Sequence, residues 1–143
     1  MKISARNAFR GTIAATELGA VNTEVDIDLG HGDHLMAIVT MDSLRALGLA
    51  PGREVVALVK APWVMVMTDA AASAKLSARN CLPGTVRSVD VGAVNAEVCI
   101  TLAGGTEVVA VITRDAVRDL GLKPGTNATA VIQASHVVLG VPT

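Results

Sequence analysis

The segment Glu24-Val25-Asp26-Ile27-Asp28-Leu29 alternates polar and apolar residues at period two, the pattern of a strand with one buried face. Glu97-Val98-Cys99-Ile100-Thr101-Leu102 repeats it. A glycine-bearing turn follows each, Gly30-His31-Gly32-Asp33 and Ala103-Gly104-Gly105-Thr106, leading into apolar strands from Leu35 to Thr40 and from Val108 to Thr113. Upstream, Lys2 to Phe9 reads as a strand that stops at Gly11, and Gly11 to Leu18 as another closed by the turn at Gly19. After Thr40 the period changes to that of a short amphipathic helix, Asp42 to Leu47, stopped by Gly48. Its twin runs from Asp115 to Leu120 and stops at Gly121. Pro-Gly turns lead on to Arg53–Lys60, a break at Pro62, and a last strand from Trp63 to Thr68.

The pattern is written twice. Ser4-Ala5-Arg6-Asn7 returns as Ser77-Ala78-Arg79-Asn80, and Gly19-Ala20-Val21-Asn22 as Gly92-Ala93-Val94-Asn95. Ser4 and Ser77 are 73 positions apart, as are Gly52 and Gly125, and about two in five aligned residues are identical. A unit of roughly seventy residues is too long for a solenoid repeat and has the size of a small domain. The chain therefore divides into a first repeat over 1–69, a linker over 70–75 and a second repeat over 76–143. Five or six short strands, with one helix between the third and fourth, match a small Greek-key barrel of OB type. The fold class is all-β, a tandem pair of such barrels. Val137 to Val141 closes the chain where Val64 to Thr68 closes the first repeat, which leaves a terminal strand free to be exchanged between halves or subunits.

Composition narrows the function. Of 143 residues, 51% are hydrophobic and 17% charged, more aliphatic surface than two small separate barrels can hide. The excess implies halves that pack on each other and on neighbouring chains. A net charge of -1 argues against a general polyanion binder, and Phe9 and Trp63, the whole aromatic content, are few for base stacking. The N-terminus has no secretory h-region, and the apolar stretch from Val55 to Met67 is interrupted by Lys60 and Pro62, so cytoplasm without membrane association is the expectation. Cys81 and Cys99 are not repeated and read as reduced thiols.

Catalytic groupings are missing. His31, His34 and His136 fall opposite Gly104, Glu107 and Trp63, so none is repeated, and His31 and His34 read as solvated loop residues. No phosphate loop or dinucleotide fingerprint occurs, and the expectation is a binding protein, not an enzyme. What repeats is a set of hydrogen-bond donors. On a regular strand Ser4 and Arg6 share one face. Thr40 and Ser43 flank a helix start, where free N–H groups favour an anion, and Lys60-Ala61 precedes a Pro break. Together they suit a small tetrahedral oxyanion. Each also has a plain structural reading: Thr40 as an N-cap, Arg6 paired with Asp26 or Glu24, Lys60 as an edge lysine.

The recurring Ser-Ala-Arg-Asn, the Gly-Ala-Val-Asn-(Ala/Thr)-Glu-Val stretch, Lys60-Ala61-Pro62-Trp63 and the duplicated layout resemble the Mop-domain family of molybdate-binding proteins in its two-repeat (di-Mop, molbindin) form. The resemblance covers essentially the whole chain. It implies OB-like barrels, a homotrimer of two-repeat chains, and molybdate or tungstate held at interfaces as ligand, with no cofactor and no metal cation. By that resemblance Ser4, Ala5, Arg6, Lys60 and Ala61 bind from one side, and Thr40 and Ser43 come from a facing repeat. Ser77, Ala78, Arg79, Gln133, Ala134 and Thr113 serve the second repeat. Ala20-Val21-Asn22 and Ala93-Val94-Asn95 form a second site class around the symmetry axis.

Two departures matter: Lys60 is matched by Gln133, and Ser43 by Ala116. One site class thus keeps Arg plus Lys and the other Arg plus a neutral amide, so their affinities should differ. A site of donors without acceptors suits a fully deprotonated oxyanion over hydrogen phosphate. The role implied is cytoplasmic molybdenum storage, buffering or delivery. The alternative is an OB-type module for single-stranded nucleic acid, disfavoured by the charge and the aromatic count.

Overall fold

A computed structural model describes residues 2–68 and 76–142; the predicted linker, 70–75, lies outside the described residues. The first half carries β1 (Asn7–Leu18), β2 (Asn22–Gly30), β3 (Asp33–Thr40), α1 (Met41–Leu47), β4 (Glu54–Val59) and β5 (Met65–Met67). The second half repeats the order with β6 (Asn80–Val91), β7 (Asn95–Leu102), β8 (Glu107–Thr113), α2 (Arg114–Leu120), β9 (Asn127–Ile132) and β10 (Val138–Gly140). Single turns of 3-10 helix, Ala61–Trp63 and Ala134–His136, precede the last strands. All pairings are antiparallel and form two curled five-stranded sheets, the tandem OB-like arrangement expected from the order of elements.

The helices are bounded as their sequences dictate. Thr40 caps α1, accepting the Ser43 N–H at 3.1 Å, and Thr113 caps α2, accepting the Ala116 N–H at 3.1 Å. Gly48 (φ 62°) and Gly121 (φ 64°) end them in the left-handed conformation, which glycine adopts without steric cost.

Two expectations are corrected at the start of each half. Gly11 does not end a strand: β1 is continuous, pairing with β4 from Asn7 to Thr12 and with β2 from Thr12 to Leu18, with a bulge between Ile13 and Ala15. Gly11 stands at this change of partner because a Cβ there would come within 2.7 Å of the Asp28 carbonyl oxygen. Gly84 occupies the same place in β6, against Thr101. Nor does Lys2 begin the strand; regular structure starts at Asn7. The partner strand β4 ends at Val59, where the chain turns toward Pro62, and leaves Lys2–Arg6 without a ladder.

The terminal strands cross between halves. The sheet orders are β10-β4-β1-β2-β3 and β5-β9-β6-β7-β8, so each half receives its fifth strand from the other. The core is correspondingly single. Ile13, Val25, Ile27 and Leu35 share one cluster of buried side chains with Val98, Ile100, Val108 and Ile132. Burying a side chain of this size contributes about 1.5–3 kcal/mol.

Candidate functional site

The two Ser-Ala-Arg-Asn segments sit where the halves meet. In each, the Asn is the buried member. Asn7 (1% exposed) donates from Nδ2 to the Val109 carbonyl at 2.8 Å and accepts the Val109 N–H at 2.7 Å. Asn80 (3% exposed) clasps the Met36 backbone, both bonds at 2.7 Å. Each amide completes a strand edge of the opposite half, which a buried backbone group requires. This structural duty of the Asn was missed in the sequence, although its repetition at both positions was the signal.

Anchoring the Asn fixes its neighbour. Arg6 and Lys60 stand one residue beyond Asn7 and Val59, the last paired residues of β1 and β4, and both are exposed. Ala61 is buried beneath them in the 3-10 turn. In the second half Arg79 and Gln133 stand just past Asn80 and Ile132, with Ala134 buried. Ser77, Ala78 and Gln133 also share the wall of one cavity of about 540 Å³ with Trp63, Met65 and His136. Ser4 and Ser77 are both exposed.

Both arginines are paired with carboxylates. Arg6 donates from Nη1 and Nη2 to the two carboxylate oxygens of Glu97, at 2.8 and 2.7 Å. Arg79 lies 3.3 Å from the Glu24 carboxylate. The residue expected beside Arg6 was Glu24 or Asp26 of its own half; the partner is instead Glu24's counterpart in the other half, because Asn7 clasps Val109 of β8, and β7, which carries Glu97, is paired to β8. With one carboxylate counted at each place, Arg6 and Lys60 leave a single net positive charge, whereas Arg79 with Gln133 leaves none.

Thr40 and Ser43 do not join Arg6. They lie at the far end of β3, where Thr40 is the Cα partner of Asn22, and the Thr40 hydroxyl both accepts from the Ser43 N–H and donates to Ser43 Oγ at 3.0 Å. Thr113 pairs with Asn95 in the same way. Among the described residues no hydrogen bond joins these hydroxyls to Ser4, Arg6 or Lys60. The facing relationship within the chain is crossed: the Ala61–Trp63 turn packs on β8, which ends at Thr113, and the Ala134–His136 turn packs on β3, which ends at Thr40.

The loops Ala20–Asn22 and Ala93–Asn95 brace the helix starts. The Val21 carbonyl accepts the Met41 N–H at 2.8 Å, and the Val94 carbonyl accepts the Arg114 N–H at 2.9 Å. Their side chains face outward, Val21 at 72% and Val94 at 73% exposure, beside Leu18 and Val91. Such paired apolar tips on both halves are surfaces suited to burial against another chain.

Two titratable groups sit in the turn region. Burial works to raise the pKa of Asp33, but hydrogen bonds from the Thr106 side chain and the Gly104 and Thr106 N–H groups outweigh it and hold the carboxyl below its usual value. His34, expected in a solvated loop, belongs to β3, where its bond to Asp26 at 3.0 Å raises its pKa against a smaller effect of burial. Cys81 and Cys99 are free thiols, exposed and buried respectively.

The TOBE domain family matches residues 3–66 and again residues 76–139. The molybdenum-pterin-binding protein MopA of Rhodobacter capsulatus is 43% identical over 142 residues, 99% of this chain and 53% of that protein. The molybdenum transport protein ModE of Azotobacter vinelandii is 43% identical over 141 residues, 99% of this chain and 52% of that protein. The chain thus spans about half the length of the curated relatives it matches. A crystal structure of the cytoplasmic molybdate-binding protein ModG with molybdate bound is 61% identical, with a TM-score of 0.94, and covers 99% of this chain and 100% of that one.

Proposed function

The chain belongs to the TOBE-domain family in its Mop-type, two-repeat form, and from that premise we propose that it is a cytoplasmic molybdate-binding protein that stores, buffers or delivers the oxyanion and catalyses nothing. The observation that carries this reading is the likeness, at 61% identity and along the whole chain, to ModG with molybdate bound. The site chemistry supports it. Arg6 with Lys60 offers donors and a net positive charge at the rim of buried β-structure, and Arg79 with Gln133 offers donors; a dianion leaving water needs such partners. Tungstate, with the same charge and shape, belongs to the same ligand class.

In this reading the anions lie between chains of a homotrimer. Ser4, Ala5, Arg6, Lys60 and Ala61 supply one wall, as do Ser77, Ala78, Arg79, Gln133 and Ala134 in the other repeat. Thr40, Ser43 and Thr113 come from a facing repeat, and the Ala20–Asn22 and Ala93–Asn95 loops gather as a second class of site. Exposure of Leu18, Val21, Val91 and Val94 supports the assembly. The single-stranded nucleic-acid alternative loses ground, since Phe9 is buried and Trp63 alone remains for stacking.

Native mass spectrometry after incubation with molybdate, tungstate, sulfate or phosphate tests the reading. Retention of molybdate and tungstate, with sulfate and phosphate washed away, is the expected result. Equal retention of all four, or of none, overturns it.

A further inference from the structure

Each of the two 3-10 turns follows a polar residue and ends on a ring, but the residues at both places differ. In the first, Lys60 precedes the turn and Trp63 ends it, with the Trp63 N–H donating to the Lys60 carbonyl at 2.9 Å. In the second, Gln133 precedes and His136 ends it, again with a 2.9 Å bond from the last N–H to the first carbonyl. That bond folds the last residue of the turn back over the first. The lysine lost at Gln133 is therefore matched by an imidazole gained three residues later on the same turn.

His136 is also placed to act. It lines the same cavity of about 540 Å³ as Ser77, Ala78 and Gln133. Trp63, from the other turn, lies against it with ring centroids 4.9 Å apart, and this contact restricts the imidazole. Resting on the oxyanion reading above, we propose that the His136 imidazole supplies the N–H donor to the oxyanion at the second-repeat site, in the place that Lys60 fills at the first. Lysine offers an ammonium and histidine a ring N–H held at a fixed angle by its contact with Trp63. Binding at the second-repeat site consequently depends on His136, and binding at the first-repeat site does not.

The surrounding charges leave this role to His136. β5 carries none, and β3, on which the turn packs, carries Asp33 and His34 at its start. Asp33 is held by Gly104 and Thr106, and His34 by Asp26. Arg79 on the neighbouring segment faces Glu24, which offsets it, and Lys60 opens the opposite turn.

Equilibrium titration of the full chain with sodium molybdate tests the proposal, using the parent, His136→Ala, His136→Arg and the double variant Gln133→Lys with His136→Ala. His136→Ala should weaken one class of site about tenfold or more while the other holds, tenfold being about 1.4 kcal/mol. His136→Arg should keep that class tight, and Gln133→Lys should restore it in the His136→Ala background. Parent-like binding at both classes in His136→Ala overturns the proposal without touching the oxyanion reading. Absence of molybdate binding in the parent overturns both.

Discussion

Asn7 and Val109 are bound across the two halves by a pair of hydrogen bonds of 2.8 and 2.7 Å, with the Asn7 amide 1% exposed. Asn7→Ala would strand one buried N–H and one buried carbonyl, at about 1–3 kcal/mol each. We expect a loss of about 2–6 kcal/mol in urea unfolding, and a similar loss for Asn80→Ala at Met36. A change below about 1 kcal/mol in both variants would mean that water takes over the bonds and the clasp is dispensable.

The oxyanion site is tested by truncating its charges. Arg6→Ala and Lys60→Ala should each weaken molybdate binding at the first-repeat site by about thirtyfold or more, since losing a charged partner of a buried ion costs about 2–5 kcal/mol. Gln133→Ala, which removes no charge, should cost less at its own site. Calorimetric titration gives the order. Unchanged affinity and stoichiometry in Lys60→Ala would reduce that residue to an edge lysine.

Two groups set opposite limits on stability against pH. The depressed pKa of Asp33 means that its contribution is present above the unfolded value of about 3.9 and is lost as pH falls through the lower folded value. Asp33→Asn should therefore lower the melting temperature at neutral pH and flatten the acid limb. The raised pKa of His34 gives the reverse: its contribution is complete below the unfolded value of about 6.5 and disappears as pH rises through the higher folded value. His34→Gln should remove a small gain seen on the acid side of neutrality, in melts recorded from pH 3 to 9. Identical curves for parent and variants would refute both assignments.

Assembly is tested at the apolar tips. Val21→Asp combined with Val94→Asp should convert the proposed trimer of 14.6 kDa chains into smaller species in sedimentation, because each exposed valine would become a charge buried at the proposed contact. A parent protein that sediments as a monomer at micromolar concentration would remove the interface from the proposed sites.

Local structure was legible because local chemistry decides it. Thr40 and Thr113 start the helices, Gly48 and Gly121 end them, and the alternation from Glu24 to Leu29 is a strand with one buried face. The start of each half was not legible. Gly11 reads as a strand end when a neighbouring strand is unseen, and only the approach of Asp28 explains why the position tolerates no Cβ. The partners of Arg6 and Arg79 were hidden for a related reason. A repeat offset says which residues are equivalent but nothing about how two equivalent surfaces dock, and Glu97 and Glu24 meet the arginines only through that docking.

The crossing of β5 and β10 makes each half depend on the other. Half of this protein, made alone, would have to leave Val56–Leu58 of β4 as a bare edge or fold its own last strand back to cover it. Bare edges recruit other chains, and the nearest fitting strand belongs to an identical copy. Two single repeats would then trade tails and become a dimer. The tandem chain holds both partners in one molecule and so turns a concentration-dependent encounter into an intramolecular one. Within one chain the two copies are also free to differ, as Lys60 and Gln133 do.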